Sequence, residues 1–419
     1  MASTHLRLPR RAKDFDIAEI GTRLYGETVL EGSVRQAGHQ LHVTARVIDV
    51  HDGARLWSER YDRDSDDVFA VEDASVRAVV DRLGVPQRAE QQGPVIKRPA
   101  ERLDAYTLCL QGRHALIGLG SALEHGLACF TQALALDATS AQAHAGIAQV
   151  HALRAVLGCA APHTVMPGAK AAALTALAID ETVADAHAAL ALVLDYYDWN
   201  RPAAEREYRR ALQLNRGDTF ARASYAHLLG KEGRADVSVA EARYAVEHDP
   251  IAPVSHSSLV SALLYARRFD AAIAEARAGL ARDPHCHLWS LGLGAGLAGL
   301  GRYDDAVEAL RQATIVGPDD PVAQAHLGHV LGRAGRGHEA LTILEDLERR
   351  RSHEYVSGVL LAEVHLGLGA YEHAITWLQR AAKERAGRLP NLHVWFWWDP
   401  LRADLRFHDL LRRMHFPVP

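Results

Sequence analysis

Gly294, Gly296 and Gly299 spell G-x-G-x-x-G, the spacing with which a strand-to-helix turn approaches a dinucleotide pyrophosphate. That chemistry needs a strand before the glycines and a helix opening after them. Here they lie inside a helical segment, at a phase shared by Gly328 and Ala362, which predicts close helix packing instead. Asp62, Asp64, Asp66 and Asp73 mimic the carboxylate spacing of a calcium loop, but Asp67 stands where the sharp turn requires glycine. The acids just before residue 68 read as the entry to a helix over 68–83, favoured by its positive end. His285-Cys286-His287 offers soft metal ligands with no second cluster at a ligand-like interval, so it reads as an inter-repeat loop. H-E-x-x-H, P-loop and G-x-S-x-G patterns are absent from the sequence. The expectation is a protein with no catalytic, cofactor or metal site.

The elements that hold these residues come from a chain of 419 residues, long enough for two or three domains, with 48% hydrophobic residues to build a core. A formal charge of −5 supplies no overall positive field for a nucleic-acid backbone, which argues against direct nucleic-acid binding. The longest weakly polar run, 291–301, is about half the roughly 20 residues a membrane span requires. The basic start, 1–13, lacks the apolar stretch of a secretory signal, so the expected location is the cytoplasm. Cys109, Cys129, Cys159 and Cys286 form no C-x-x-C pair and are expected to be reduced core thiols.

Two parts and a joint are expected. Leu41, Val43, Ala45 and Val47 alternate with polar residues at the period of a strand with one buried face. Flanking segments 29–35 and 55–60, the latter following an Asp52-Gly53 turn signal, complete a three-stranded meander. With helical spacing over 14–24 and 68–83, this gives a small α/β module over 1–85. Residues 86–102 carry three prolines and read as a linker. Beyond it a 34-residue period takes over, with Pro250, Pro284 and Pro318 in one phase and Ala272, Ala306, Ala340 and Ala374 in a second. Gly233, Arg267, Gly301, Gly335 and Gly369 form another, where an inter-helix turn gains from a residue tolerant of positive φ. About eight helix–turn–helix units fill 103–386, with an inserted loop expected at 158–168 and a closing segment over 387–419. In that segment Leu401, Leu405, Leu410 and Leu411 make an apolar stripe for a cap. Trp395, Phe396, Trp397 and Trp398 read either as part of the cap or as a binding patch.

The 34-residue unit, with small residues at its crossing points and a closing proline, resembles the tetratricopeptide repeat; GRYDDAVEALRQATIVGP at 301–318 fits the second half of that pattern. The resemblance implies a mostly α fold, a right-handed α-solenoid. Residues 29–72 look like the second half of the TolB-like module that precedes such arrays in CadC-type winged-helix activators and class III adenylate cyclases. The tail at 395–414 is similar to the closing segment of the same architecture, with Leu405 where proline is commoner. By this resemblance the chain is the regulatory half of such a protein, its effector domain being in a separate chain.

Repeat solenoids offer long surfaces lined by first helices. The expected function is therefore a non-enzymatic module that binds a protein partner in bacterial cytoplasmic signalling. The alternative is the sensory half of an adenylate cyclase or winged-helix transcriptional regulator separated from its effector, and a small ligand in the groove is a further possibility. Repeat phase selects His227, Ser261, His329, Arg333 and Glu363 as candidate partner-binding residues.

Overall fold

The computed structural model describes residues 28–37, 40–52, 54–64, 103–118, 122–250 and 252–418. The linker at 86–102, the helices expected at 14–24 and 68–83, and Asp66 and Asp73 lie outside them.

Strands β1 (Thr28–Ala37), β2 (Gln40–Asp49) and β3 (Arg55–Asp64) pair antiparallel in the order β1-β2-β3. Val29 faces Ile48, and Val47 faces Trp57 beside a register irregularity. Ala45 and Val47 are buried, as their alternation with exposed Arg46 requires. The β2–β3 turn is pinned by Asp49 and Asp52, whose carboxylates accept from the amides of His51 and Ala54.

The remaining helices are α1 (Leu103–Gly118), α2 (Ala122–Leu136), α3 (Ala141–Val156), α4 (Pro162–Ile179), α5 (Ala184–Tyr196), α6 (Arg201–Leu214), α7 (Thr219–Lys231) and α8 (Ala235–His248). They continue as α9 (Pro253–Tyr265), α10 (Phe269–Arg282), α11 (His287–Gly299), α12 (Tyr303–Val316), α13 (Pro321–Arg333), α14 (Gly337–Arg351), α15 (Gly358–Gly367) and α16 (Tyr371–Lys383). Two 3-10 turns, Leu389–His393 and Phe396–Leu401, precede a last helix, α17 (Leu405–Arg413). The eight expected helix pairs, α1/α2 to α15/α16, are all present.

The five pairs from α7/α8 to α15/α16 are closed by the residues their phase assigned. Gly233, Gly301, Gly335 and Gly369 have φ between 73° and 78°, and Arg267 adopts 55° in the same slot. Helices pack because small residues stand where they cross: Ala226, Ala272, Ala306, Ala340, Ala362 and Ala374 are fully buried. At Gly294, Gly296 and Gly299 a Cβ would lie 2.5 Å from Leu310, 2.8 Å from Ile273 and 2.4 Å from Phe269. The G-x-G-x-x-G pattern is therefore helix packing within α11. From α3 onward each first helix touches the next first helix as well as its own partner, so α3, α5, α7, α9, α11, α13 and α15 form one wall.

Three expectations need correction. The chain at 158–168 is not a long loop: α4 begins at Pro162, where a missing amide costs nothing in the first helical turn, and it runs on through Pro167. Its alanines 169, 173 and 176 are fully buried, and this packing outweighs the one donor lost inside the helix. Cys109 and Cys129 are core thiols, but Cys159 is exposed beside the left-handed turn at Gly158, and Cys286 is half-buried ahead of α11. Leu405 is 71% exposed at the first position of α17, while Leu401, Leu410 and Leu411 are buried as expected.

Candidate interaction surface

Asp195 and Lys231 are fully buried in neighbouring first helices, α5 and α7, and bonded at 2.5 Å. The Lys231 ammonium also sits 3.6 Å from the centre of the Tyr196 ring, which compensates part of its lost hydration. Further along the wall, His326 and His329 of α13 meet Glu363 of α15. His329 donates from Nδ1 to the Glu363 carbonyl at 3.0 Å, and His326 Nε2 lies 3.4 Å from the Glu363 carboxyl.

Burial dominates the electrostatics here. It lowers His329 to about 4, against a smaller opposing effect from its bond to the Glu363 carbonyl, and it holds His326 well below the imidazole range. Glu363 is pushed up to about 7 by the same desolvation. The His326–Glu363 contact is therefore made by a neutral imidazole, and it is not an ion pair at neutral pH.

The residues after α16 cover this wall. Gly387 passes so close to the end of α3 that a Cβ there would stand 2.8 Å from the Ala155 carbonyl. Leu389 and Leu392 are fully buried and Trp397, Trp398 and Leu401 nearly so. The Trp397 ring stacks on His329 at 4.3 Å and meets His326 edge-on at 4.7 Å. Trp395 stands edge-on to Tyr265, and Phe396 to Phe269. His393 donates from Nδ1 to the Lys231 carbonyl at 2.8 Å, and Arg201 of α6 donates to the Met414 and His415 carbonyls at 2.7 and 2.6 Å. The aromatic cluster is thus neither a simple end cap nor a bare patch. It is a strap laid across the first helices.

The strap decides where the sequence-selected residues stand. His329 and Glu363 are brought together and buried, with Trp397 stacked on the His329 ring. His227 keeps partial exposure, its Nδ1 3.5 Å from the Tyr265 hydroxyl, and burial lowers it to about 4. Ser261 is half-buried. Arg333 is exposed and lies over the Tyr303 ring, donating to its hydroxyl at 3.3 Å. His326 was missed, although its place three residues before His329 puts it on the same helix face.

A cleft of about 630 Å³ opens between Asn200, Arg201, Glu232, Arg234 and Phe416. Its arginines are already engaged: Arg201 by the two carbonyls, Arg234 by Glu205 and Glu232. Among the described residues no group of three or more His, Cys, Asp or Glu could hold a metal ion, and no helix is long and apolar enough to cross a membrane.

The family model described as tetratricopeptide repeat matches residues 258–323 and 326–388. Those residues are tetratricopeptide repeats. In sequence the chain is similar to putative adenylate cyclase 3 of Rhizobium meliloti (strain 1021), 34% identical over 139 residues, which are 33% of this chain. The match spans about a quarter of that relative's length, 24%. Among solved structures, a human IFIT1 dimer with m7Gppp-AAAA superposes with a TM-score of 0.51 at 15% identity, covering 75% of this chain and 77% of that one. A human IFIT1 dimer with PPP-AAAA gives 0.50 at 16% identity, covering 75% and 78%. At such identities the likeness concerns the fold alone. The matched residues take in helices α9 to α16, and the earlier pairs repeat the same helix–turn–helix form.

Proposed function

We propose that this chain is a non-enzymatic interaction module, whose tetratricopeptide array binds a protein partner in bacterial cytoplasmic signalling. The observation that carries this reading is the array itself, a row of first helices with polar side chains still accessible beside the strap. Ser261, Arg333 and the exposed edge of His227 are the proposed contacts. His329 and Glu363, of the same repeat phases, would act beneath the strap by setting its position. The test is affinity capture from extract of the native cell with wild type and Arg333→Glu. A retained protein that the variant loses supports the assignment; identical retained sets remove Arg333 from the contact surface, and no specifically retained protein counts against the module.

A second reading is favoured by the likeness to a protein named an adenylate cyclase. In it the chain is the sensory half of a cyclase or winged-helix regulator, the three-stranded meander being the remainder of a TolB-like module. A catalytic or DNA-binding domain encoded next to the gene supports it, and an unrelated neighbour opposes it.

A further inference from the structure

We propose that the cleft between the start of α6, the α7–α8 turn and the tail at 415–417 binds a short zwitterionic peptide with free amino and carboxyl ends. Arg234 takes its carboxylate and Asp198 its ammonium group. The site holds a small molecule and uses other residues than the partner surface, so it does not rest on the partner-binding reading.

The cleft, of about 630 Å³, falls within the roughly 300–1,000 Å³ typical of small-molecule sites. Its walls carry both signs of charge, Arg201 and Arg234 against Asp198 and Glu232. Arg201 is spent: it lies 3.6 Å over the Phe416 ring and gives both Nη groups to the Met414 and His415 carbonyls. Arg234 is engaged but not exhausted. Only its Nη1 donates, to Glu205 at 2.7 Å and to Glu232 at 3.4 Å, and 38% of its side chain stays exposed. Nε and Nη2, the edge of the guanidinium that matches a carboxylate, make no hydrogen bond among the described residues. Asp198 is in the same position: Oδ2 accepts from Lys170 at 2.5 Å, and Oδ1 makes no hydrogen bond among the described residues. Trp199, another wall of the cleft, is 6% exposed, and its indole Nε1 has no hydrogen-bond partner. Its backbone is held at φ 58°, with the Arg385 guanidinium 3.8 Å over its ring. Strain and an unpaired buried donor are features that collect where a ligand is clamped.

The lining selects the ligand. Phosphate would meet Asp198 and Glu232, and a diamine would meet Arg234, so a ligand of one sign is opposed by half of the charges present. A zwitterion meets each sign with its opposite. Helix α8 opens directly after Arg234 with no side-chain cap, so its positive end reinforces the carboxylate position. Trp199, Pro202, Phe416 and Pro417 supply an apolar wall for an uncharged side chain between the two ends. A peptide carbonyl is also the kind of acceptor that the Trp199 indole lacks.

The experiment is isothermal titration of the full chain with alanyl-leucyl-alanine, its N-acetyl form and its C-terminal amide. Wild type, Arg234→Gln and Asp198→Asn are compared, with circular dichroism and melting as fold controls. The expected result is saturable one-to-one heat for the free tripeptide and binding at least about tenfold weaker for each capped form. Arg234→Gln is expected to bind the free peptide and its amide equally, and Asp198→Asn to bind the free peptide and its N-acetyl form equally, because each variant removes the partner of one terminus. Arg234→Lys, which keeps the charge without the fork, stands in if Arg234→Gln does not fold and is expected to cut the preference for the free peptide over its amide. The proposal is overturned if the tripeptide gives no saturable heat up to about 10 mM, a range that detects millimolar affinity. Equal affinity of wild type for the free peptide and either capped form, or an unchanged preference in either variant, also overturns it.

Discussion

Arg267 closes the α9–α10 turn in the left-handed region, at φ 55°, and from there grips Asp399 of the strap with two hydrogen bonds of 2.7 and 2.8 Å. The other inter-helix turns at this phase use glycine. An L side chain at positive φ costs about 1 kcal/mol or more, and a half-exposed bidentate pair returns at most about that amount. Although burial pushes the Asp399 carboxyl up, hydrogen bonds from Arg267 and Arg402 hold it below the usual range. Arg267→Gly is therefore expected to leave stability within about 0.5 kcal/mol of wild type, losing the pair and the strain together. Arg267→Ala keeps the strain without the pair and is expected to cost about 1 kcal/mol. Urea denaturation of the two variants checks the difference; equal values would show that the turn carries no strain.

Lys231 and Asp195 are both fully buried, so removing one charge strands the other. Lys231→Met is expected to destabilise by about 3–5 kcal/mol, while the double variant Lys231→Met/Asp195→Leu recovers most of the loss. A double-mutant cycle in urea measures the coupling. If the double variant is as unstable as the single one, the pair holds its neighbours in ways that apolar groups cannot replace.

The α13–α15 crossing is backbone against backbone. A Cβ on Gly367 would lie 2.2 Å from the His329 carbonyl, and one on Gly332 would lie 2.5 Å from the Gly367 carbonyl carbon. Gly367→Ala is expected to cost about 3 kcal/mol, because main chain on both sides has to move. Gly168→Ala, with open space around it, is expected to be neutral or slightly stabilising in the same thermal melts. A mild effect at Gly367 would mean that the two helices separate more easily than this contact implies.

The parts of this protein legible from sequence are those the repeat states many times over. The phase of Gly233, Arg267 and Gly301 marked the turns because a left-handed residue is needed once per 34, and even Arg267 obeyed it. The strap was not legible in the same way. Trp397 on His329, His393 on Lys231 and Arg201 on Met414 are single contacts between distant stretches, and no periodicity announces them. The apolar content of 389–414 foretold that it would cover something, but not that it would cover the residues selected for partner binding. The loop at 158–168 was misread for a local reason: proline ends a helix in its interior and begins one at its first position, as Pro162 does.

Glu363 ties the covered wall to pH. In the unfolded chain its carboxyl ionises near 4.5, whereas in the fold burial raises it to about 7. Between those values the folded state holds a proton that the unfolded state has lost, so this group's contribution to stability is complete below 4.5 and disappears as pH rises through 7. The histidines act oppositely. His227 and His329 ionise near 6.5 when unfolded but only at about 4 in the fold, so their contribution is present above 6.5 and is lost as pH falls through 4. The two effects place the stability maximum of the wild type near neutrality. Glu363→Gln isolates the carboxyl, because the histidine contributions cancel in the difference between the two proteins. That difference is expected to be small at pH 4.5 and to grow in the variant's favour to the order of 3 kcal/mol at pH 8. Urea midpoints across this range measure it. A difference that stays flat with pH would show that Glu363 ionises freely in the fold, which requires water or a cation inside the buried contact between α13 and α15.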